Sequence, residues 1–266
     1  MSVIPLTPLD LSIAASLVLV LALLSLHLRL RLFRPMVVAA VRTTAQLLLV
    51  GIVLKAVFEN VHPAWLGLIS IVMLGVAARE VGRRQKLRMK GGWGFGVGAA
   101  SMFLSSFSIT ALALTVIVQV EPWYRPQYAI PLLGMLLGNT MNGIALGLDR
   151  LSQSAWEQRE IVESRLILGQ TWSQAIDDIR RDSIRSGLIP IVNAMSIAGL
   201  VSLPGMMTGQ ILGGSPPMEA VKYQILIMFL IASGTGFGTI FAVWTSSRRL
   251  FDERQRLRIE DRFQRG

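Results

Sequence analysis

The side chains of this chain that could do chemistry are polar groups set singly inside long apolar runs, and what they offer is hydrogen bonding, either to a solute or between helices. They are Arg42 and Gln46 in one run, Asn139 and Asn142 in a second, and Asn193, Pro204, Met206, Met207 and Gln210 in a third. Arg42 and Gln46 stand one helical turn apart and the two asparagines three residues apart, so each pair shares a face. Amides and guanidinium groups surrounded by lipid must find partners. Each pair therefore either bonds a neighbouring helix or lines a polar pathway, and Arg42, about 9 Å from the start of its run by helical rise, could also snorkel to the interface. Pro204 removes a backbone donor and disrupts the preceding turn, which predicts a kinked or broken helix and hence a gate. His27 and His62 have no clustered carboxylate, so no metal-ligand spacing exists. Met206 and Met207 are either packing filler or transient soft-metal contacts. No nucleophile, base and orienter occur together, which argues against an enzyme within the membrane.

These residues need helices to hold them, and the charge pattern says which. Twenty-two of the 26 Lys and Arg residues fall at 29–35, 79–92, 149–187 and 246–266, between apolar runs, while 1–8, 59–63, 121–127 and 213–217 hold only Arg125. Basic loops stay on the cytoplasmic side, so the pattern predicts an all-α integral membrane protein of about seven spans, N-terminus outside and C-terminus inside. At about 20 residues per span, the spans fall near 9–28, 36–58, 64–78, 93–120, 128–148, 188–212 and 218–245. A chain with 52% apolar and 16% charged residues agrees. The net charge of +10 lies at span ends without an aromatic-basic module, which favours a membrane-proximal belt over nucleic acid. The absence of cysteine removes disulfides and thiolate ligands. The first run is too long for a signal-peptide core and is read as a retained helix. One membrane domain, 1–266, accounts for the whole chain, with a basic tail over 246–266.

Two further patterns concern packing. Ser101, Ser105, Ser108, Thr115 and Gln119 fall on one stripe at helical spacing, which suits helix packing or a substrate path. The pairs Gly134/Gly138 and Gly143/Gly147, with Gly234, Gly236 and Gly238 later, suggest closely packed helices.

The sizeable polar segment is 149–187. Ser154 with Glu157 and Thr171 with Gln174 have capping-box spacing, and Gly169 between them suits a helix-ending glycine. Trp172, Ala175, Ile176 and Ile179 form one apolar face. The result is a helical hairpin, either resting on lipid or docking a partner. Its six basic and seven acidic residues argue modestly against an anionic surface.

ESRLILG at 163–169 resembles the EAA-x-x-x-G coupling signature of ATP-binding cassette permeases. Glu163 and Gly169 are in register, with Ile179 at the later isoleucine; Arg181 and Asp182 stand where that signature has Leu-Pro. RTTAQLLLVG (42–51), PLLGMLLGNTMNGIALGLDRL (131–151) and SLPGMMTGQILGGSPPMEAVKYQI (202–225) together look like the FetB-type permease family, bacterial iron exporters and plant aluminium-tolerance permeases. The resemblance covers roughly 38–249. It implies the membrane subunit of an exporter of iron or another metal-linked small solute, working as a homodimer with a separate cytoplasmic ATPase. Glu163, Leu168, Gly169, Trp172 and Ile179 would couple to that ATPase. Arg42, Gln46, Asn139, Asn142, Asn193, Pro204, Met206, Met207 and Gln210 would form pathway and gate. The chain has no G-x-x-x-x-G-K-S/T loop, so it is not expected to hydrolyse ATP unaided and energy must come from a partner or an ion gradient; the resemblance implies that this chain binds no cofactor and that ATP and magnesium sit on the partner ATPase. Two other classes remain open on residues alone: a scaffold without a pathway, and an ion-driven transporter. The second is disfavoured because no Asp or Glu lies at mid-membrane.

Overall fold

The computed structural model describes residues 5–59, 61–85 and 87–265. Residues 1–4, 60, 86 and 266, which fall within the basic and outer segments above, lie outside the described residues. The chain is an all-α, multi-pass membrane protein. In order come α1 (Pro8–His27), α2 (Phe33–Glu59), α3 (Pro63–Arg83), strand β1 (Leu87–Met89), α4 (Trp93–Ile117), α5 (Pro126–Glu157), α6 (Arg159–Ile167), α7 (Trp172–Ala175), α8 (Asp177–Ile197), α9 (Gly205–Leu212), α10 (Pro217–Arg249), α11 (Ile259–Arg262) and strand β2 (Phe263–Arg265). Among the described residues, six helices are long and apolar enough to cross a bilayer: α1 to α5 and α10. The short third span expected at 64–78 is a full 21-residue helix. Its last turns tolerate charge because Glu80 pairs with Arg83 and Arg84.

The remaining expected span, 188–212, is not one helix. α8 ends at Ile197, Gly199 adopts φ +81° and its N–H donates to the Ser202 carbonyl, and a new helix starts at Gly205. The break thus opens several residues before Pro204. That proline instead precedes the first turn of α9, where its carbonyl accepts from both the Thr208 N–H and hydroxyl, a position at which its missing N–H costs nothing.

The chain forms two compact units. One contains α1, α2 and residues Gln210–Ser215. Its first helix begins at a reciprocal capping box, in which Thr7 accepts from the Asp10 N–H and Asp10 accepts from the Thr7 N–H at 2.8 Å. The tight turn to α2 places Arg29 and Arg31 at positive φ and is tied by the Leu32 N–H on the Ser25 hydroxyl.

The second unit runs over Pro63–Gly209 and from Pro216 onward, and is built around α5, α8 and α10. Their crossing is set by small residues. A Cβ on Gly187 would lie 2.5 Å from the Gly143 carbonyl oxygen, one on Gly143 would lie 2.5 Å from Thr235 Cγ2, and one on Gly238 would lie 2.5 Å from Thr140 Cγ2. Gly138 and Gly236, grouped with these by spacing, face open space. The serine stripe of α4 also divides. Phe103–Phe107 and Ala113–Ile117 are π-helical, and each wider turn shifts the register that a 3.6-residue count assumes. Ser101 and Ser105 are buried and bond carbonyls one turn back, whereas Ser108, Thr115 and Gln119 are exposed.

Candidate functional site

The segment 149–187 is less a loop than the two projecting ends of α5 and α8 with a small hairpin across their tips. Ser154 does not cap a helix: it is buried inside α5, which runs on to Glu157. The apolar spacing simply continues past the span, and Leu148, Leu151 and Ala155 are buried in one cluster with Ala175, Ile176 and Ile179. Thr171 caps as its spacing predicts. Gln174 Oε1 accepts from the Thr171 N–H at 2.9 Å, and the Thr171 hydroxyl accepts from the Gln174 N–H.

Gly169 ends α6 with φ +88°. Its N–H donates to the Leu166 carbonyl and the Gln170 N–H to the Arg165 carbonyl, both at 3.0 to 3.1 Å, the two bonds of a Schellman motif. That turn thrusts Ile167 and Leu168 outward, 85% and 83% exposed. Arg165 clamps the hairpin from behind, donating to the Ala175 carbonyl at 3.2 Å and pairing with Asp178 at 2.9 Å. Glu163 lies exposed on the same helix, Trp172 is half-buried, and Ile179 is buried in the core, so it supports the hairpin from within.

A second wall was not visible in the sequence reading, which took 246–266 as a basic tail. After α10 the chain folds back, with Phe251 bridged to Leu257 and β2 paired antiparallel to β1. Gln255 Oε1 accepts from the Trp172 N–H at 3.0 Å, filling an otherwise open donor at a helix start. Between this loop and the hairpin lies an open groove of about 680 Å³, bounded by Glu163, Ile167 and Gly169 on one side and Arg254 and Leu257 on the other. The signal for the loop was Asp252. An aspartate whose side chain can take N–H groups two and four residues on organises a turn, and here it accepts from Arg254 and Arg256 at 2.9 and 2.8 Å.

Those bonds hold the Asp252 carboxyl at about 2, below its ordinary 3.8. The Arg256 N–H contributes most, against an opposing push from desolvation; the Arg256 guanidinium and the Arg254 N–H add to the lowering. A depressed carboxylate contributes its full stabilisation above 3.8 and loses it as pH falls through about 2. The order of the 252–258 loop is therefore expected to be independent of pH from neutrality down to 3.8 and to fail below it. Asp252→Ala, which removes the acceptor of both backbone N–H bonds, should speed tryptic cleavage near Arg254 and Arg256 at neutral pH relative to the parent; an unchanged cleavage rate would remove Asp252 as the organiser.

The other sequence-derived residues are distributed through both units. Arg42 and Gln46 are exposed on α2 and, among the described residues, their side chains form no hydrogen bond or ion pair. Asn139 Nδ2 donates to the Met135 carbonyl of its own helix at 2.8 Å. Asn142 Oδ1 accepts from Arg84, which is itself held by Glu80 at 3.2 Å, so this amide sits level with the basic end of α3. Asn193 is exposed on α8; Met206 and Met207 are half-buried on α9. The Gln210 side-chain oxygen is enclosed without a hydrogen-bond partner. Among the described residues no three His, Cys, Asp or Glu could jointly hold a metal ion.

The uncharacterised protein family UPF0014 matches residues 8–251. The UPF0014 membrane protein slr1647 of Synechocystis is 43% identical over 222 residues, 82% of this chain and 83% of that one. The probable iron export permease protein FetB of Escherichia coli is 35% identical over 224 residues, 81% of each chain. Protein ALUMINUM SENSITIVE 3 of Arabidopsis thaliana is 32% identical over 210 residues, 79% of this chain and 74% of that one. No solved structure matches.

Proposed function

This chain belongs to the UPF0014 family, and from that premise we propose that it is the membrane-spanning permease subunit of an ATP-binding cassette exporter whose ATPase is a separate chain. The observation that carries the proposal is the hairpin at 159–175: a rigidly clamped turn whose two most prominent side chains, Ile167 and Leu168, are apolar and exposed. Exposed apolar groups rimmed by polar ones mark a protein-binding surface, and the segment matches the coupling signature at Glu163 and Gly169. The positive-inside pattern supports a cytoplasmic position for this hairpin, where an ATPase can reach it. The chain carries no phosphate-binding loop of its own, so in this reading the energy comes from the separate ATPase rather than from an ion gradient.

Two copies would form the transporter. Arg42 and Gln46, exposed on an apolar helix without partners of their own, suit contact with a second copy or with the solute. The interrupted helix at 198–204 supplies the irregular backbone that survives at membrane depth only when buried or lining a cavity, and Pro204, Met206, Met207 and Gln210 flank it as gate residues. The bacterial relative named for iron export supports a metal ion, or a small solute carrying one, as cargo.

The test is reconstitution with the ATPase. Gly169 occupies a region costing about 1–2 kcal/mol for a residue with a side chain, so Glu163→Ala with Gly169→Val should reduce stimulated ATP hydrolysis to the rate of the ATPase alone. The variant should still insert and elute as the parent does. Full stimulation in a correctly inserted variant would remove the docking claim.

A further inference from the structure

We propose that the basic end of α10 holds an anionic phospholipid, with its phosphate in a pocket of arginines and tryptophans and its acyl chains along the apolar face below. The pocket, about 850 Å³, is lined among others by Trp93, Trp244, Arg248, Arg249 and Arg254. Arg249 lies over the Trp93 ring at 4.6 Å and Arg248 over the Trp172 ring at 5.1 Å. Stacking orients a guanidinium while leaving its N–H edge free for oxygen acceptors. Among the described residues, the side chains of Arg248, Arg249 and Arg254 form no ion pair; Asp252, which also lines the pocket, is taken by Arg256 and Arg258. Glu253 is then the opposing carboxylate, and positive charge prevails. The Trp93 Nε1–H is a further enclosed donor without an acceptor.

Depth selects a lipid over a soluble phosphate. α10 has 33 residues, roughly 50 Å of helix against a hydrocarbon core of roughly 30 Å, so its last turn emerges at headgroup level, where Trp and Arg concentrate. Phe237, Phe241, Trp244 and Arg248 follow one another at i, i+4, i+7 and i+11, a single face. At the apolar end of that face Phe237 and Phe241, with Leu104, Ile109 and Leu112 of α4, line a groove of about 360 Å³. Groove and pocket lie about 10 Å apart along the helix, by rise per residue. Apolar trough leading to cationic cup is the complement of one amphiphile.

The test is lipid retention by the full-length protein, measured by native mass spectrometry after exchange from nanodiscs containing equal phosphatidylglycerol and phosphatidylcholine. The parent should keep phosphatidylglycerol selectively. Arg248→Gln with Arg249→Gln should weaken that retention about tenfold or more, at about 1 kcal/mol per cation near the surface, while Arg248→Lys with Arg249→Lys should keep most of it. Arg254→Gln, whose backbone bond to Asp252 survives, provides the same test should the double variant fail to insert. Equal retention of the two lipids overturns the proposal, as does unchanged retention in the glutamine variants. Displacement of phosphatidylglycerol by millimolar inorganic phosphate would reassign the pocket to a soluble anion, and so also overturn it.

Discussion

Gly187→Ala and Gly143→Ala are each expected to lower the thermal stability of the solubilised protein sharply, while Gly138→Ala and Gly236→Ala leave it unchanged. A methyl at 187 would lie 2.5 Å from the Gly143 carbonyl oxygen and 2.7 Å from Thr239 Cγ2. The first is backbone, so relief requires α5 and α8 to move apart along their whole crossing. At 143 the obstacles are Thr235 Cγ2 at 2.5 Å, Thr239 Oγ1 at 2.8 Å and the Gly187 carbonyl at 3.1 Å. Overpacking of this kind costs about 1–3 kcal/mol per site. The two sites share one contact, so the double variant should cost less than the sum of the singles. Thermal unfolding in detergent, followed by light scattering or tryptophan fluorescence, reads the difference. Equal behaviour of all four variants would mean that this helix crossing is not what holds the second unit together.

The same glycines show what could be read from sequence and what could not. Spacing of four identified Gly143 and Gly147 as a packing edge, because small-xxx-small needs no knowledge of the partner. It could not separate Gly143 from Gly138, since the difference lies in where α8 and α10 cross α5. Charge asymmetry and run length located six of the seven expected membrane helices for a similar reason, since hydrocarbon thickness is an external ruler, and missed that 188–212 is interrupted. That ruler fails where a helix leaves the bilayer. At Ser154 nothing in lipid thickness says whether α5 stops, and the continuing burial of Leu151 and Ala155 decides that it does not. The stripe through Ser101 and Thr115 failed differently, because π turns alter the period on which the count depends. The fold-back of the tail was hardest to see, since it needs Gln255 to meet Trp172, a long-range bond with no local pattern. Of the candidate site, the hairpin was legible at Gly169 and Thr171, where local backbone chemistry dictates the turn. Its second wall was not.

Ile167→Asp with Leu168→Asp is expected to leave the protein as stable as the parent and to abolish its association with the proposed partner ATPase. The two side chains are 85% and 83% exposed, so charging them sacrifices almost no packing, and surface changes of this kind stay within about 0.5 kcal/mol. At an interface the arithmetic reverses. Apolar anchors buried in a partner's pocket are worth about 2 kcal/mol or more each, and a carboxylate forced into the same pocket adds desolvation. Loss of both should weaken association at least about a hundredfold, enough to eliminate co-purification and stimulated hydrolysis together. Ile179→Asp is the informative contrast. That side chain is buried beneath the hairpin, so its variant should lose the fold as well, by placing an unpaired charge in the core. A transporter subunit requires the first variant to be folded and uncoupled, whereas a membrane scaffold with no motor would show no difference between it and the parent. An Ile167→Asp/Leu168→Asp protein that still stimulates its ATPase would sink the docking surface, and with it the observation on which the exporter reading depends.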